Sequence, residues 1–207
     1  MTANVLVIAT GNQHKLAEIT AVLHEFGLGV EIRGLRDYPG CPEVVEDGAT
    51  LEANAAKKAR EVCAWTGAPT LADDTGLEVD ALHGAPGVVS ARYAGPACSF
   101  VDNIAKLLRE MSAVPEAQRG ARFRCIMALA MPGQPPRIQL FEGCIEGRIL
   151  QTARGTGGFG YDPVFLVPET GCTLAEFSPA AKNSMSHRAK ALAAAGPTLM
   201  AELRRRA

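Results

Sequence analysis

Val5, Leu6, Val7, Ile8 and Ala9 form an apolar run that stops at a polar segment, Thr10, Gly11, Asn12, Gln13, His14 and Lys15. Beyond it Leu16, Ile19, Val22, Leu23 and Phe26 recur at helical spacing, and Gly27 stands where a C-terminal cap belongs. The pattern predicts a buried strand delivering a polar turn to a helix that opens near His14 or Lys15. Thr50 is placed to cap a second helix carrying Leu51, Ala55, Ala59, Val62 and Cys63 toward Gly67. Residues 69–72 make a short apolar approach to Asp73 and Asp74, after which Leu77, Val79 and Ala81 alternate with Glu78 and Asp80 like a half-exposed strand. Ser99 and Asp102 match a capping box for a helix with Val101, Ile104, Leu108 and Met111 inward. Residues 123–130 read as a strand ended by the Pro- and Gly-rich stretch 131–136. Residues 138–149 read as a strand pair or one bent strand, with Gly143 and Gly147 at turns or bulges. Residues 164–167 give another strand, and Ser178-Pro179 opens a helical C-terminal section. Strands that follow one another without intervening helices indicate an α/β protein with a mixed sheet. Without repeats, low-complexity tracts or a linker, residues 1–207 are read as a single domain, with room for a cleft between two lobes.

Composition narrows the function classes. With 47% hydrophobic residues in 207, the chain can bury a substantial core. A net charge of -1 provides no basic field for a nucleic-acid backbone, so nucleic acid is not expected as the main partner. Arg204, Arg205 and Arg206 suit a solvated helix end. Six cysteines stand singly, without the paired spacing of a zinc site or the density of a disulfide framework, and are expected to behave as small buried apolar residues in a reducing compartment. No apolar run is long enough to span a bilayer and no secretory leader is visible, which points to the cytoplasm and away from membranes.

Several segments carry candidate chemistry. A helix opening after residues 10–15 presents amide N–H groups with no partner inside the helix and a favourable dipole, a setting for phosphate, and Lys15 adds a full charge. A tight strand-to-helix connection with a solvated lysine is the simpler alternative. Asp73 and Asp74 end an apolar strand, where a buried carboxylate is costly unless compensated; Mg²⁺, which takes carboxylates, waters and phosphates, is one such compensation, and an acidic turn closed by the Thr75 and Gly76 amides is another. Glu43, Glu46 and Asp47 offer a further metal ligand or a solvated loop. Residues 155–160 formally contain G-x-G-x-x-G, but Asp162-Pro163 and the apolar run after it continue as a strand instead of opening a helix, so a dinucleotide fingerprint is rejected. What remains is backbone that approaches a ligand closely, carrying Phe159 and Tyr161, whose faces would stack on a base with roughly 1–3 kcal/mol, or serve as ordinary core aromatics. Lys182, His187 and Arg188 sit near the front of the last helical section, where cations oppose the local dipole unless an anion is present; exposed side chains are the sober alternative. Arg92 beside Tyr93 reads as a stacked surface pair.

A P-loop is excluded because G-x-x-x-x-G-K-[ST] does not occur. The ordered segments 10–15, 71–77, 87–93, 155–163 and 186–188 nevertheless resemble the motifs of the inosine/xanthosine triphosphate pyrophosphatase family over nearly the whole chain. The resemblance implies an α/β homodimer with an elongated mixed sheet flanked by helices and two lobes around a central cleft. It also implies Mg²⁺-dependent hydrolysis of ITP, dITP and XTP to the monophosphate and pyrophosphate, removing deaminated purines from the nucleotide pool. Carried over by position, Thr10, Gly11, Asn12, Gln13, His14 and Lys15 hold phosphates, Asp74 is metal ligand or proton acceptor, and Glu46 is a second metal ligand. Thr75, Phe159, Gly160, Tyr161, Asp162, Lys182, His187 and Arg188 contact substrate. Two departures stand out: Thr75 replaces a frequent serine while keeping the hydroxyl, and Gly196-Pro197 is expected to interrupt the usual continuous final helix. A non-hydrolysing purine-nucleotide sensor and a pyrophosphatase for modified pyrimidine nucleotides are the competing readings.

Overall fold

The computed structural model describes residues 5–206. Its elements run β1 (Val5–Ile8), α1 (Gln13–Glu25), β2 (Glu31–Gly34), α2 (Leu51–Thr66), β3 (Thr70–Val79), β4 (Pro86–Gly87), α3 (Phe100–Glu110), β5 (Gly120–Met131), β6 (Arg137–Ile149), β7 (Phe165–Val167), β8 (Cys172–Thr173), α4 (Pro179–Met185) and α5 (His187–Arg204). The strands form one mixed sheet in the order β2-β1-β3-β5-β6-β7-β8, with β4 paired to β3. By its contacts the chain falls into two compact units. The first takes residues up to Asp74, then Cys125–Gly143 and the chain from Arg188 onward; the second takes Thr75–Arg124 and Cys144–His187.

In the first unit β1 pairs in parallel with β2 (Val5 opposite Glu31) and with β3 (Ile8 opposite Leu71). Strand periodicity of two puts Leu6 and Ile8 on one face, joined there by Leu71 and by Cys125, Met127, Leu129 and Met131 of β5. Ile19, Val22 and Leu23 of α1 and Leu192, Leu199 and Leu203 of α5 cover that face. Helix α1 opens one residue earlier than its apolar pattern alone suggests, because Asn12 Oδ1 accepts from the amides of His14 (2.9 Å) and Lys15 (3.3 Å). Thr50 caps α2 through the Ala53 amide at 3.1 Å, and Gly67 ends it at φ 67°, a left-handed position that suits glycine.

The break expected at Gly196-Pro197 is absent: α5 runs unbroken through Pro197. A proline inside a helix costs about 3 kcal/mol, but each buried leucine contributes roughly 1.5–3 kcal/mol, and Leu192, Leu199 and Leu203 are all buried along this helix. Gly196 has a packing reason as well, since a Cβ there would come within 3.2 Å of the Phe26 ring.

In the second unit, Leu77, Val79, Phe123, Ile145, Ile149, Phe165 and Val167 from the strands pack with Leu107 and Met111. The capping box at Ser99 and Asp102 forms as the sequence indicates. Residues 137–149 make a single strand, so Gly147 is not a turn; a Cβ there would lie 2.4 Å from the Phe165 ring, and the glycine lets β7 approach. Lys106 stands over the Tyr93 ring, its Nζ 4.1 Å from the centroid. Only Cys63 and Cys125 are buried; Cys41, Cys98, Cys144 and Cys172 are partly exposed, and all are free thiols.

Candidate functional site

The acid pair does not lie in a turn. Residues 70–79 form one continuous strand through Asp73, Asp74, Thr75 and Gly76; β1 pairs with Thr70 and Leu71 at its start, β4 with Leu77 and Glu78 near its end, and β5 is its other neighbour. Asp-Asp-Thr-Gly has good turn propensity, but its place within an interior strand of the sheet overrides that local preference, and the Asp73 carbonyl is taken by the Lys58 ammonium. Successive side chains of a strand point to opposite faces, so the two acids meet different company.

Asp73 is fully buried and meets α1 and α5. Lys15 Nζ lies 2.9 Å from its Oδ2, and Arg188 approaches the same oxygen with Nε at 3.4 Å and Nη2 at 3.5 Å. Arg188 also donates through Nη1 to Glu18, which stands one turn beyond Lys15 on α1. Burial alone would push the Asp73 carboxyl up, yet Lys15, Arg188 and Lys58 together hold it well below the usual carboxylate range. The same two carboxylates keep the buried Arg188 guanidinium firmly charged against its own desolvation.

Asp74 meets α2. Asn54 Nδ2 donates to its Oδ2 at 3.2 Å, and Lys58 Nζ lies 3.6 Å from its Oδ1. Lys58 also donates to Glu46 at 2.5 Å and to the Asp73 carbonyl oxygen at 2.6 Å. Asn54 accepts from the Gly48 amide at 2.8 Å, so one amide side chain ties the acidic loop carrying Glu46 to the strand carrying Asp74. Burial pushes the Asp74 carboxyl up, Lys58 opposes that, and Glu46 reinforces it, leaving Asp74 above the usual range. Two adjacent carboxyls therefore titrate in opposite directions, one fixed as an anion and one poised to take a proton.

Asn54, Lys58 and Glu18 were not among the residues marked from the sequence. The available signal was Asn54 and Lys58 at i, i+4 on α2, a polar pair beside the apolar stripe of Leu51, Ala55, Ala59 and Val62. At the first turn, Thr10 Oγ1 accepts from the Asn12 amide at 3.2 Å, and Asn12 takes the His14 and Lys15 amides. Two of the donors assigned to phosphate are thus already bonded, and Gly11 and Gln13 lie beside them at the helix start. The Lys15 side chain retains 17% exposure, against 11% for Lys58 and 1% for Arg188.

The second unit holds the other marked residues. Asp162, nearly buried, accepts from the Phe159 amide at 2.8 Å and from Lys182 Nζ at 2.6 Å. Lys182 Nζ stands 4.7 Å from the Phe159 ring centroid, and Phe100 lies on the same ring at 6.1 Å. Gly158 makes this closure possible: its φ is 68° and a Cβ would fall 2.1 Å from Asp162 Oδ2. Gly160 is also left-handed, at φ 65°. Tyr161 turns inward, its hydroxyl donating to the Ser90 carbonyl at 2.9 Å. Ser90 Oγ in turn accepts from the Leu77 amide at 2.9 Å. His187 stacks on Phe123 at 4.8 Å and 18°, inside the unit. Thr75 is half-buried on β3. The reading of Lys182, His187 and Arg188 as exposed side chains is overturned, since all are buried. Lys182 also lies in the last turn of α4, where its charge suits the helix dipole.

The donors present suit a hard divalent cation. Glu46 and Asp74 both offer oxygen, and both lie against one ammonium, which marks a place where positive charge is already favoured. Among the described residues no three His, Cys, Asp or Glu side chains are gathered into a ready metal cluster.

The Ham1 family model matches residues 6–197 of the chain. Among its relatives, the dITP/XTP pyrophosphatase of Geobacter sulfurreducens is 53% identical over 188 residues, covering 91% of this chain and 92% of the relative. That of Geobacillus kaustophilus is 50% identical over 187 residues, covering 90% of each. Of solved structures, a HAM1 protein from Coxiella burnetii superposes with a TM-score of 0.86 at 38% identity, over 95% of this chain and 98% of that one. The nucleoside-triphosphatase / dITP/XTP pyrophosphatase of Mycobacterium abscessus gives a TM-score of 0.74 at 43% identity, over 92% and 97%.

Proposed function

This chain belongs to the Ham1 family, and from that premise we propose that it hydrolyses deaminated purine nucleoside triphosphates (dITP, ITP and XTP) to the monophosphate and pyrophosphate. The single observation that carries the chemistry is the divided acid pair, with Asp73 held ionised under Lys15 and Arg188 and Asp74 raised beside Lys58 and Asn54. The names of the relatives supply the substrate class.

Asp74 accepts a proton from the attacking water, whose oxygen bonds to the α-phosphorus as the bond to the bridging oxygen breaks and pyrophosphate departs. Lys15, the most accessible of the cations on the acid pair, reaches the phosphate oxygens, while Arg188 is fixed by Asp73 and Glu18 and positions Asp73. Lys58 restrains the upward shift of Asp74 and pairs with Glu46. Glu46 and Asp74 would hold Mg²⁺, with water and phosphate oxygens completing its shell. When bound, the ion neutralises charge that builds on the phosphates. Thr10, Gly11, Asn12, Gln13 and His14 shape the phosphate turn.

Phe159 supplies the stacking face for the base, and the Lys182 ammonium beside that ring faces a 6-oxo group as a donor. A 6-amino group there would set donor against donor at a cost of about 1–3 kcal/mol. Gly160, Tyr161 and Asp162 shape the loop that carries Phe159, and Thr75 and His187 complete the substrate contacts. We take residues 1–207 as one functional domain, acting as a homodimer on the cytoplasmic pool; no helix of the described residues is long and apolar enough to cross a membrane. Sedimentation tests the dimer.

Pyrophosphate release measured across dITP, ITP, XTP, GTP, ATP and dUTP, with and without Mg²⁺, tests the proposal. Turnover of the first three above the rest, lost on chelation, is expected. Tight binding without turnover would favour a sensor, and preference for a pyrimidine nucleotide would move the substrate class.

A further inference from the structure

The second unit contains a cavity of about 310 Å³ lined by Glu116, Arg119, Arg148, Gln151, Thr152 and Arg154, none of which takes part in the site above. Arg119 is the unusual member. It is 2% exposed, and its guanidinium donates only to backbone carbonyls: Nε to Ile149 at 2.7 Å, Nη1 to Met111 at 2.7 Å and Val114 at 3.3 Å, Nη2 to Leu150 at 3.0 Å. Those acceptors use four of its five N–H groups and hold the fork rigid, but neutral dipoles do not cancel a unit charge. The other buried cations do have anions: Lys182 has Asp162 at 2.6 Å, and Arg188 has Asp73 and Glu18. Among the described residues no carboxylate lies within ion-pair distance of Arg119. Burial accordingly draws its pKa down, with Glu116 opposing.

The neighbouring arginines add further positive charge to the same cavity. Arg148 donates to the Glu116 carbonyl at 2.5 Å and reaches the Glu116 carboxylate only at 3.9 Å, a side chain 80% exposed. Arg154 donates to the Gly171 carbonyl at 2.7 Å and to Glu176 at 3.1 Å. Guanidinium forks match the paired oxygens of carboxylate and phosphate, and three of them at one cavity suit the higher charge of a phosphate. We propose that this cavity is a second ligand site, binding a phosphate-type oxyanion, orthophosphate or pyrophosphate, on Arg119, Arg148 and Arg154 with Gln151 and Thr152 at the rim.

The test follows backbone amide resonances of the whole protein during titration with sodium pyrophosphate, orthophosphate or, at matched ionic strength, chloride. Saturable shifts at Gln151, Thr152 and Arg154 and their neighbours, distinct from any at residues 10–15, are expected with one or both phosphates. Their separate curves show which of the two is preferred. Arg148→Gln, and the double variant with Arg154→Gln, should weaken those shifts about tenfold or more, a difference near 1.4 kcal/mol, while nucleotide turnover is unchanged. Absence of saturable shifts, equal shifts with chloride, or unaltered binding by Arg148→Gln would overturn the proposal. Because the readout is local to this cavity, its failure leaves the proposed hydrolysis standing, and the converse.

Discussion

Lys58 Nζ stands 2.5 Å from Glu46 and 3.6 Å from Asp74, so one ammonium is shared by the two carboxylates through which we propose the metal is held. Coulomb coupling of this kind sets protonation as much as it sets position. Replacing Lys58 with Met removes the charge that restrains the upward shift of Asp74. The acid limb of the rate profile should move to higher pH, with a loss of kcat at neutral pH on the order of tenfold. A profile that stays in place would separate Lys58 from the titration of Asp74.

Asp74→Asn should abolish most turnover, by about 100-fold or more, as expected when a positioned base is removed. The wild-type rate should fall as pH drops through a pKa above the usual aspartate value of 3.8, because the ionised form is the base. Stability should respond in the opposite sense. A raised native pKa means that ionised Asp74 opposes folding once pH exceeds that pKa, so Asp74→Asn should keep its midpoint of thermal unfolding, or gain slightly, at pH 8. Calorimetry across pH checks this.

Asp73→Asn is the contrasting case. Its pKa is depressed, so its contribution to stability is present above the unfolded value of about 3.9 and is lost as pH falls from there toward the native pKa. The amide leaves Arg188 and Lys15 under-compensated, and removing one partner of a buried pair costs about 3–5 kcal/mol. Urea denaturation should show that loss at pH 7, and wild type and variant should converge in strong acid.

Gly158→Ala places a Cβ 2.1 Å from Asp162 Oδ2 at φ 68°. The Phe159 amide bond to Asp162 must give way, and a left-handed non-glycine residue adds strain of about 1–3 kcal/mol. KM for dITP should rise about tenfold while the acid limb of the pH profile, which belongs to Asp74, stays fixed. A shift in that limb would tie the glycine loop to the titrating pair.

Much of this arrangement was legible from local chemistry. Thr50, Gly67 and the Ser99–Asp102 box mark helix ends because capping is decided within a few residues. The acid pair was legible as chemistry but not as structure. Its turn-like composition was overruled by the sheet, whose other strands lie far away in sequence. Glu18, Asn54 and Lys58 were missed for a related reason. Each is unremarkable on its own helix, and its meaning arises only when α1 and α2 meet β3. Pro197 misled in the other direction, since a local rule for breaking helices yielded to leucines buried on both sides of it.

Placing the acid pair inside an interior strand of the sheet also governs motion. Amide hydrogens of such a strand exchange with solvent only when the sheet opens, so Asp73 and Asp74 should belong to the slowest-exchanging backbone of the protein. The base is therefore held ready before any nucleotide arrives, and adaptation to a different base has loops to work with while the hydrolytic geometry is carried by the most protected part of the fold.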